Sequence, residues 1–127
     1  MKLDRGEAED GNEDLTTAAQ NYDVARDMAR KYVGAQGVQI RLVDFAYADF
    51  LARTSRLREA IAIGRPTRET ALRLTRQGIT SSLLESGMIT YARALIDYGL
   101  VEEGLEVLRQ AEEARAHLPP AMKTLNV

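Results

Sequence analysis

The residues able to do chemistry are few. The chain has one histidine, His117, and neither cysteine nor tryptophan. A thiolate nucleophile, a disulfide and a cysteine zinc site are excluded, and so is a two-histidine relay. His117 stands at the end of a helical stretch, before Leu118-Pro119, where a positive side chain favours the helix dipole; Glu113, one turn back, is its one local partner. The carboxylate pairs Glu102-Glu103 and Glu112-Glu113 are adjacent in sequence, so on a helix they diverge and read as a solvated face. Phosphate-cradling glycine loops, zinc spacings and nucleophile motifs are all missing from the sequence. The expectation is a chain that is not an enzyme and needs no cofactor or metal.

Arginine is the exception. The sequence holds 14 Arg against 3 Lys, a bias that points to a GC-rich bacterial genome. A guanidinium also grips planar anions better than an ammonium does. The net charge of −2 hides an uneven distribution. Residues 1–14 carry six carboxylates against Lys2 and Arg5, net −4, and with Gly6, Gly11 and Asn12 they read as an acidic tail, disordered over 1–13. Residues 53–76 carry seven arginines against Glu59 and Glu69, net +5, and residues 101–127 return to −2. Arg65, Arg68, Arg73 and Arg76 are therefore candidates to hold an acidic partner or nucleic-acid phosphate. Within 68–87, Gly78-Ile79-Thr80-Ser81-Ser82-Leu83-Leu84 looks like the turn and recognition-helix start of a helix-turn-helix, with Leu84 as its buried aliphatic. Against this, Arg73, Gln77 and Gly87 fall where that motif is usually apolar, and the exposed first turns offer Thr80, Ser81, Ser82 and Glu85 without Arg, Asn or Gln.

The elements that must position these groups are helical. Leu15, Ala18, Ala19, Tyr22, Ala25 and Ala29 recur every three or four residues, which predicts a helix from about Asp14 to the glycines at 34 and 37. The run 38–53 is apolar on several faces and belongs between neighbours. Pro66, after Gly64-Arg65, predicts a break, with a short helix from Thr67 to Gln77 beyond it. A stripe from Ile79 to Tyr98 follows; Ser82 and Glu85 fit a capping box, though a start at Thr80 fits the stripe better. Val101 to Arg115 forms the last helix before Pro119-Pro120. Short connections imply antiparallel neighbours. The expected fold is all-α, about six helices in stacked antiparallel hairpins, with a plain helical bundle as the fallback. It forms one domain over 14–118 with a tail at 119–127. No apolar run reaches the roughly 20 residues a membrane span requires, and the start lacks a signal peptide's apolar centre, so a cytoplasmic protein is expected.

The segment 89–113 resembles a tetratricopeptide repeat, a pair of antiparallel helices with small residues where they cross. Tyr91 and Leu95 take the large positions of the first helix, Ala92 the small one, Gly99 the turn, and Gly104, Leu108 and Ala111 the small, large and small positions of the second helix. A second copy matches at Tyr47, Ala48, Leu51 and Ala60, with Ser55 in place of the turn glycine, and departs at Gly64 and Pro66. A partial copy has Ala25 and Ala29 at second-helix positions. Small side chains at these places let the helices approach. The resemblance implies a protein–protein interaction module, an adaptor, chaperone or regulatory subunit, whose groove is lined by outward positions of each first helix. It carries these onto Phe45, Asp49, Ala52 and Arg53 in one copy and Ile89, Arg93, Ile96 and Asp97 in the other. A mixed-charge, partly apolar groove suits an amphipathic peptide or partner helix with at least one acidic group. A stack this short needs caps, so a homodimer is also expected, through apolar edges such as Val101 and Val107.

Overall fold

The computed structural model describes residues 2–31 and 37–118, with side chains from Leu15 onward. Five helices follow one another: α1 (Lys2–Arg30), α2 (Val38–Arg53), α3 (Leu57–Arg76), α4 (Ser82–Asp97) and α5 (Val101–Ala116). Strands are absent among the described residues. Helix α1 takes in residues that the charge count assigns to an acidic tail; the tail expected at 119–127 lies outside the described residues.

Helices α2 and α3 form one hairpin, α4 and α5 the next. The two first helices pack side by side, α3 touches α5 behind them, and α1 lies along α2. This all-α domain of packed neighbouring helices is compatible with a helical repeat. Phe45, Leu51, Leu84, Met88, Tyr91, Leu95 and Val107 are fully buried, each stabilising by roughly 1.5–3 kcal/mol. Alanines at 48, 52, 60, 71, 92, 94 and 111 fill the crossings between them.

Three turns share one geometry. Ser55, Gly78 and Gly99 adopt left-handed backbone, with φ of 62°, 81° and 105°. In each, the next amide reaches back to a carbonyl near the helix end: Arg56 to Leu51, Ile79 to Leu74 and Leu100 to Leu95, all at 2.8 Å. This is the Schellman closure, which satisfies carbonyls that a helix end leaves open. Ser55 is the one non-glycine residue with positive φ among those described.

The sequence reading fails at Pro66. Helix α3 runs through it unbroken, so the expected sixth helix merges into the third. Proline deprives the Ala62 carbonyl of its helical donor, but Pro66 and Ala62 both face solvent, where water replaces the bond. The opposite face buries Ala60, Gly64, Thr67, Ala71, Leu74 and Thr75, and this packing outweighs a penalty of about 3 kcal/mol. Gly64, where the repeat pattern expects a bulky residue, instead receives one: a Cβ there would lie 2.5 Å from Tyr91 Cζ and closer still to its hydroxyl. Helix α4 starts between the two expected places, with Ser81 as cap accepting from the Leu84 amide at 3.1 Å.

Candidate functional site

The α2–α4 pair places a shallow cleft of about 290 Å³ on the front of the molecule, at the C-terminal ends of both helices. Arg53 comes from α2; Thr90, Arg93, Asp97 and Tyr98 come from α4 and its cap. Helical spacing sets Arg93 and Asp97 one turn apart on the exposed face. Asp49 sits below and is nearly buried; it receives both Arg53 Nε, at 3.0 Å, and the Arg53 terminal nitrogen. That pair holds the guanidinium in place and lifts its pKa further above the ordinary range, first by the hydrogen bond and then by charge. The cleft thus presents two cations, one carboxylate, a hydroxyl and an aromatic edge.

Three of the eight residues carried over from the repeat pattern meet in this cleft, with Asp49 as their support. The other four do not reach it. Phe45 is fully buried, its ring 5.9 Å from that of Tyr91, because α2 is enclosed by α3 and α4 and this position faces α4. Ala52, carried along with them, is also fully buried. Ile96 turns toward α5, where an added Cβ at Gly104 would run into it and come within 2.8 Å of the Ala92 carbonyl. Ile89 is half-buried against the core. Val107, expected as an exposed edge, is fully buried between α5 and its neighbours, while Val101 is exposed.

The arginine-rich stretch forms a ladder from α3 to α5. Arg65 pairs with Glu103 at 2.9 Å, and Arg68 pairs with the same carboxylate while donating to Gln110 Oε1 at 2.8 Å. Arg76 meets Glu113 at 2.9 Å. The guanidiniums hold the Glu103 and Glu113 carboxyls below the usual carboxylate range, with the hydrogen bond from arginine as the leading cause in each. Arg73 is exposed and donates to Thr70 Oγ1 at 3.4 Å. The acidic partners of Arg65, Arg68 and Arg76 therefore lie on the last helix, while Arg56 meets Glu59 at the start of α3, 3.5 Å away. In the helix-turn-helix-like segment, Glu85 is buried and joined to Arg115 at 3.3 Å, so it is not offered outward. Helix α3 packs on α2 and α5 rather than along α4.

One polar centre was missed. Asp44 is 4% exposed and collects Tyr22 Oη at 2.8 Å, Arg26 Nε at 2.8 Å and Thr67 Oγ1 at 3.2 Å, with Arg41 at 3.5 Å. It ties α1, α2 and α3 together. Burial, aided by the Asp44 carboxylate, pushes the Tyr22 phenol up to about 12, and burial lowers the Arg41 guanidinium. The signal was a carboxylate inside the otherwise apolar run 42–48. Beside this centre, a second concavity of about 350 Å³ lies between α1 and α2, lined mainly by alanines and aromatic rings.

Fold and cleft together define a five-helix domain of packed hairpins with a mixed-charge front. Compared with known families, curated proteins and solved structures, the chain finds no match. Among the described residues no helix is long and apolar enough to cross a membrane, and no group of three or more His, Cys, Asp or Glu is gathered for a metal ion.

Proposed function

We propose that this chain is a non-catalytic interaction module of tetratricopeptide-like hairpins, taking an amphipathic peptide or partner helix across the α2–α4 front. The observation that carries this reading is the meeting of Arg53, Arg93 and Asp97 from two parallel first helices in one open cleft. A ligand carboxylate fits between the two guanidiniums, and Asp97 fits a neighbouring cation; Arg favours such planar, bidentate contacts. An adaptor, chaperone or regulatory subunit uses a surface of this kind. The nucleic-acid alternative has less support, because Arg65, Arg68 and Arg76 are engaged by carboxylates of α5.

The test is a peptide-display selection on the intact chain, followed by calorimetric titration of the selected peptides. Arg93→Glu is expected to weaken binding about 10-fold or more, equivalent to roughly 1.4 kcal/mol, and a peptide with its acidic residue changed to Lys is expected to recover affinity for that variant. Changing Arg68, Arg73 and Arg76 together to Ala removes the candidate phosphate contacts, and Arg73→Ala alone, outside the α3–α5 ion pairs, should leave peptide binding intact. Binding that ignores Arg93→Glu, or salt-steep DNA binding lost in the triple variant, would overturn the reading.

A further inference from the structure

The two hairpins repeat in register. Helices α2 and α4 are each 16 residues long and begin and end 44 positions apart; the second helices that follow also begin 44 apart, at Leu57 and Val101. The pairs Val43/Gly87, Tyr47/Tyr91 and Phe50/Ala94 are therefore equivalent, yet they differ in what covers them. On α4 this face lies under α2. A Cβ on Gly87 would stand 3.7 Å from Phe45 Cβ, the Phe45 ring stands 5.9 Å from that of Tyr91, and Tyr91 and Ala94 are buried. On α2 the same face meets no first helix among the described residues. Tyr47 is backed by the Tyr22 ring of α1, centroids 4.2 Å apart, as Tyr91 is backed by the Ala60 carbonyl of α3, but Tyr47 and Phe50 are only half-buried. Over these rings runs the groove of about 350 Å³, walled by Ala18, Asn21 and Ala25 of α1 and by Val43, Ala46 and Phe50 of α2.

We propose that this groove takes a helix of another polypeptide, laid parallel to α2 and carrying an uncharged stripe of bulky apolar side chains at i, i+3 or i+4, and i+7. It extends by one step the layer that α2 and α4 already form.

The direction of the occupant follows from continuity with the α2–α4 interface: the register that seats Phe45 on Gly87 and Tyr91 seats a side chain of the new helix on Val43 and Tyr47. Its bulk follows from the walls, where three alanines leave the large side chains to be supplied from the other side. Its lack of charge follows from the lining, which holds no charged residue; Arg26 and Asp44 beneath are paired with each other at 2.8 Å, so a charge on the stripe would be buried unpaired. Its foreign origin follows from α1 and from the rest of the surface. Helices α3 and α5 each follow a left-handed turn that folds a first helix back onto them. Helix α1 instead runs unbroken from Ala18 back to Lys2, about 24 Å, so the chain makes no such return beside the groove. Nor does a second copy supply the stripe. The exposed large apolar residues among those described are Val24, Met28, Leu83, Tyr98, Val101 and Leu105, and no helix carries more than two of them.

The probe is a displayed library of helices as long as α2, built on an Ala/Gln/Lys scaffold and randomised at i, i+3, i+4 and i+7. It is selected on the intact chain, and the selected peptides are titrated by calorimetry. The expected stripes hold Leu, Met or aromatic residues. Asn21→Glu and Ala46→Glu, exposed positions on opposite walls, should preserve the helical circular dichroism while raising the dissociation constant about 10-fold or more. Arg93→Glu and Leu105→Glu should leave it unchanged, which separates the groove from the cleft at Arg53, Arg93 and Asp97, so the two readings fail separately. With Gln39→Cys at the N-terminal end of the α2 wall, disulfide trapping should favour a cysteine at the peptide's N-terminus over one at its C-terminus. Four results would each overturn the proposal: no apolar-stripe binder tighter than about 100 µM, binding indifferent to both wall variants, the reverse trapping preference, or a wild-type dimer in sedimentation equilibrium that both wall variants split.

Discussion

Replacing Gly64 with Ala isolates the contact between α3 and the Tyr91 ring that reaches it from α4. In an ordinary helix interior this exchange stabilises by about 1 kcal/mol, because glycine has the greater backbone freedom to lose. Here the new methyl would stand 2.5 Å from Tyr91 Cζ and 2.9 Å from Cε2, and nearer still to the hydroxyl. Tyr91 is fully buried and its hydroxyl donates to the Ala60 carbonyl at 3.4 Å, so the ring has no free space to enter. Overpacking of this kind costs about 1–3 kcal/mol, and expelling the ring would forfeit about 1.5–3 kcal/mol of burial. The expected net is a destabilisation of about 1–2 kcal/mol. In a Tyr91→Leu background the clashing ring atoms are gone, and the same Gly64→Ala change should instead stabilise by about 1 kcal/mol. Urea unfolding of the four proteins, followed by circular dichroism, gives a coupling of about 2–3 kcal/mol if the two residues meet as described. Gly64→Ala with the same effect in both backgrounds would refute the argument.

Further outcomes follow from the turns, the buried charge and the tyrosines. Ser55→Gly should stabilise by about 0.5–1 kcal/mol in urea melts, since the left-handed backbone costs an L-residue roughly 1–2 kcal/mol and the added freedom of the unfolded chain returns part of it. Asp44→Ala strands Arg26 and Arg41 and should cost about 3–5 kcal/mol, against less than about 0.5 kcal/mol for Asp97→Ala on the surface. Tyr22 and Tyr91 are both pushed up to about 12, first by burial. The folded chain keeps these protons where an unfolded tyrosine, near pH 10, has lost them; stability is full below about pH 10 and falls between about pH 10 and 12. Tyr22→Phe should reduce that alkaline loss, and an identical loss between about pH 10 and 12 in wild type and the Tyr22→Phe/Tyr91→Phe pair would contradict it.

Much of the fold could be read from residue spacing. The stripes at 15–29 and 101–115 are helices, that at 79–98 is one from Ser82 to Asp97, and Gly78 and Gly99 end their helices with the backbone that glycine makes easy. Pro66 misled because a local penalty of about 3 kcal/mol was weighed without the tertiary face that offsets it; nothing in the sequence says that Ala62 and Pro66 share the wet side. At the site, Arg53, Arg93 and Asp97 were legible as exposed helix positions. Phe45 and Ile96 were not, because the burial of an apolar residue depends on where the neighbouring helices cross. The Asp44 centre joins positions 22, 26, 41 and 67, a long-range pairing that local periodicity cannot reveal.

The arginine ladder has a mechanical consequence for the opposite face. Glu103 and Glu113 are clamped by α3 at points about three helical turns apart, so α5 can neither slide along α3 nor swing away from it without parting both clamps. With the rear helices pinned and the front helices in contact, the two hairpins have lost the hinge a free stack would possess. The width between Arg53 and Arg93 is therefore gauged from behind. Arg68, 11% exposed, carries the pair least open to screening, so salt should loosen the outer rungs at Arg65 and Arg76 first and widen the front only once the inner rung gives way.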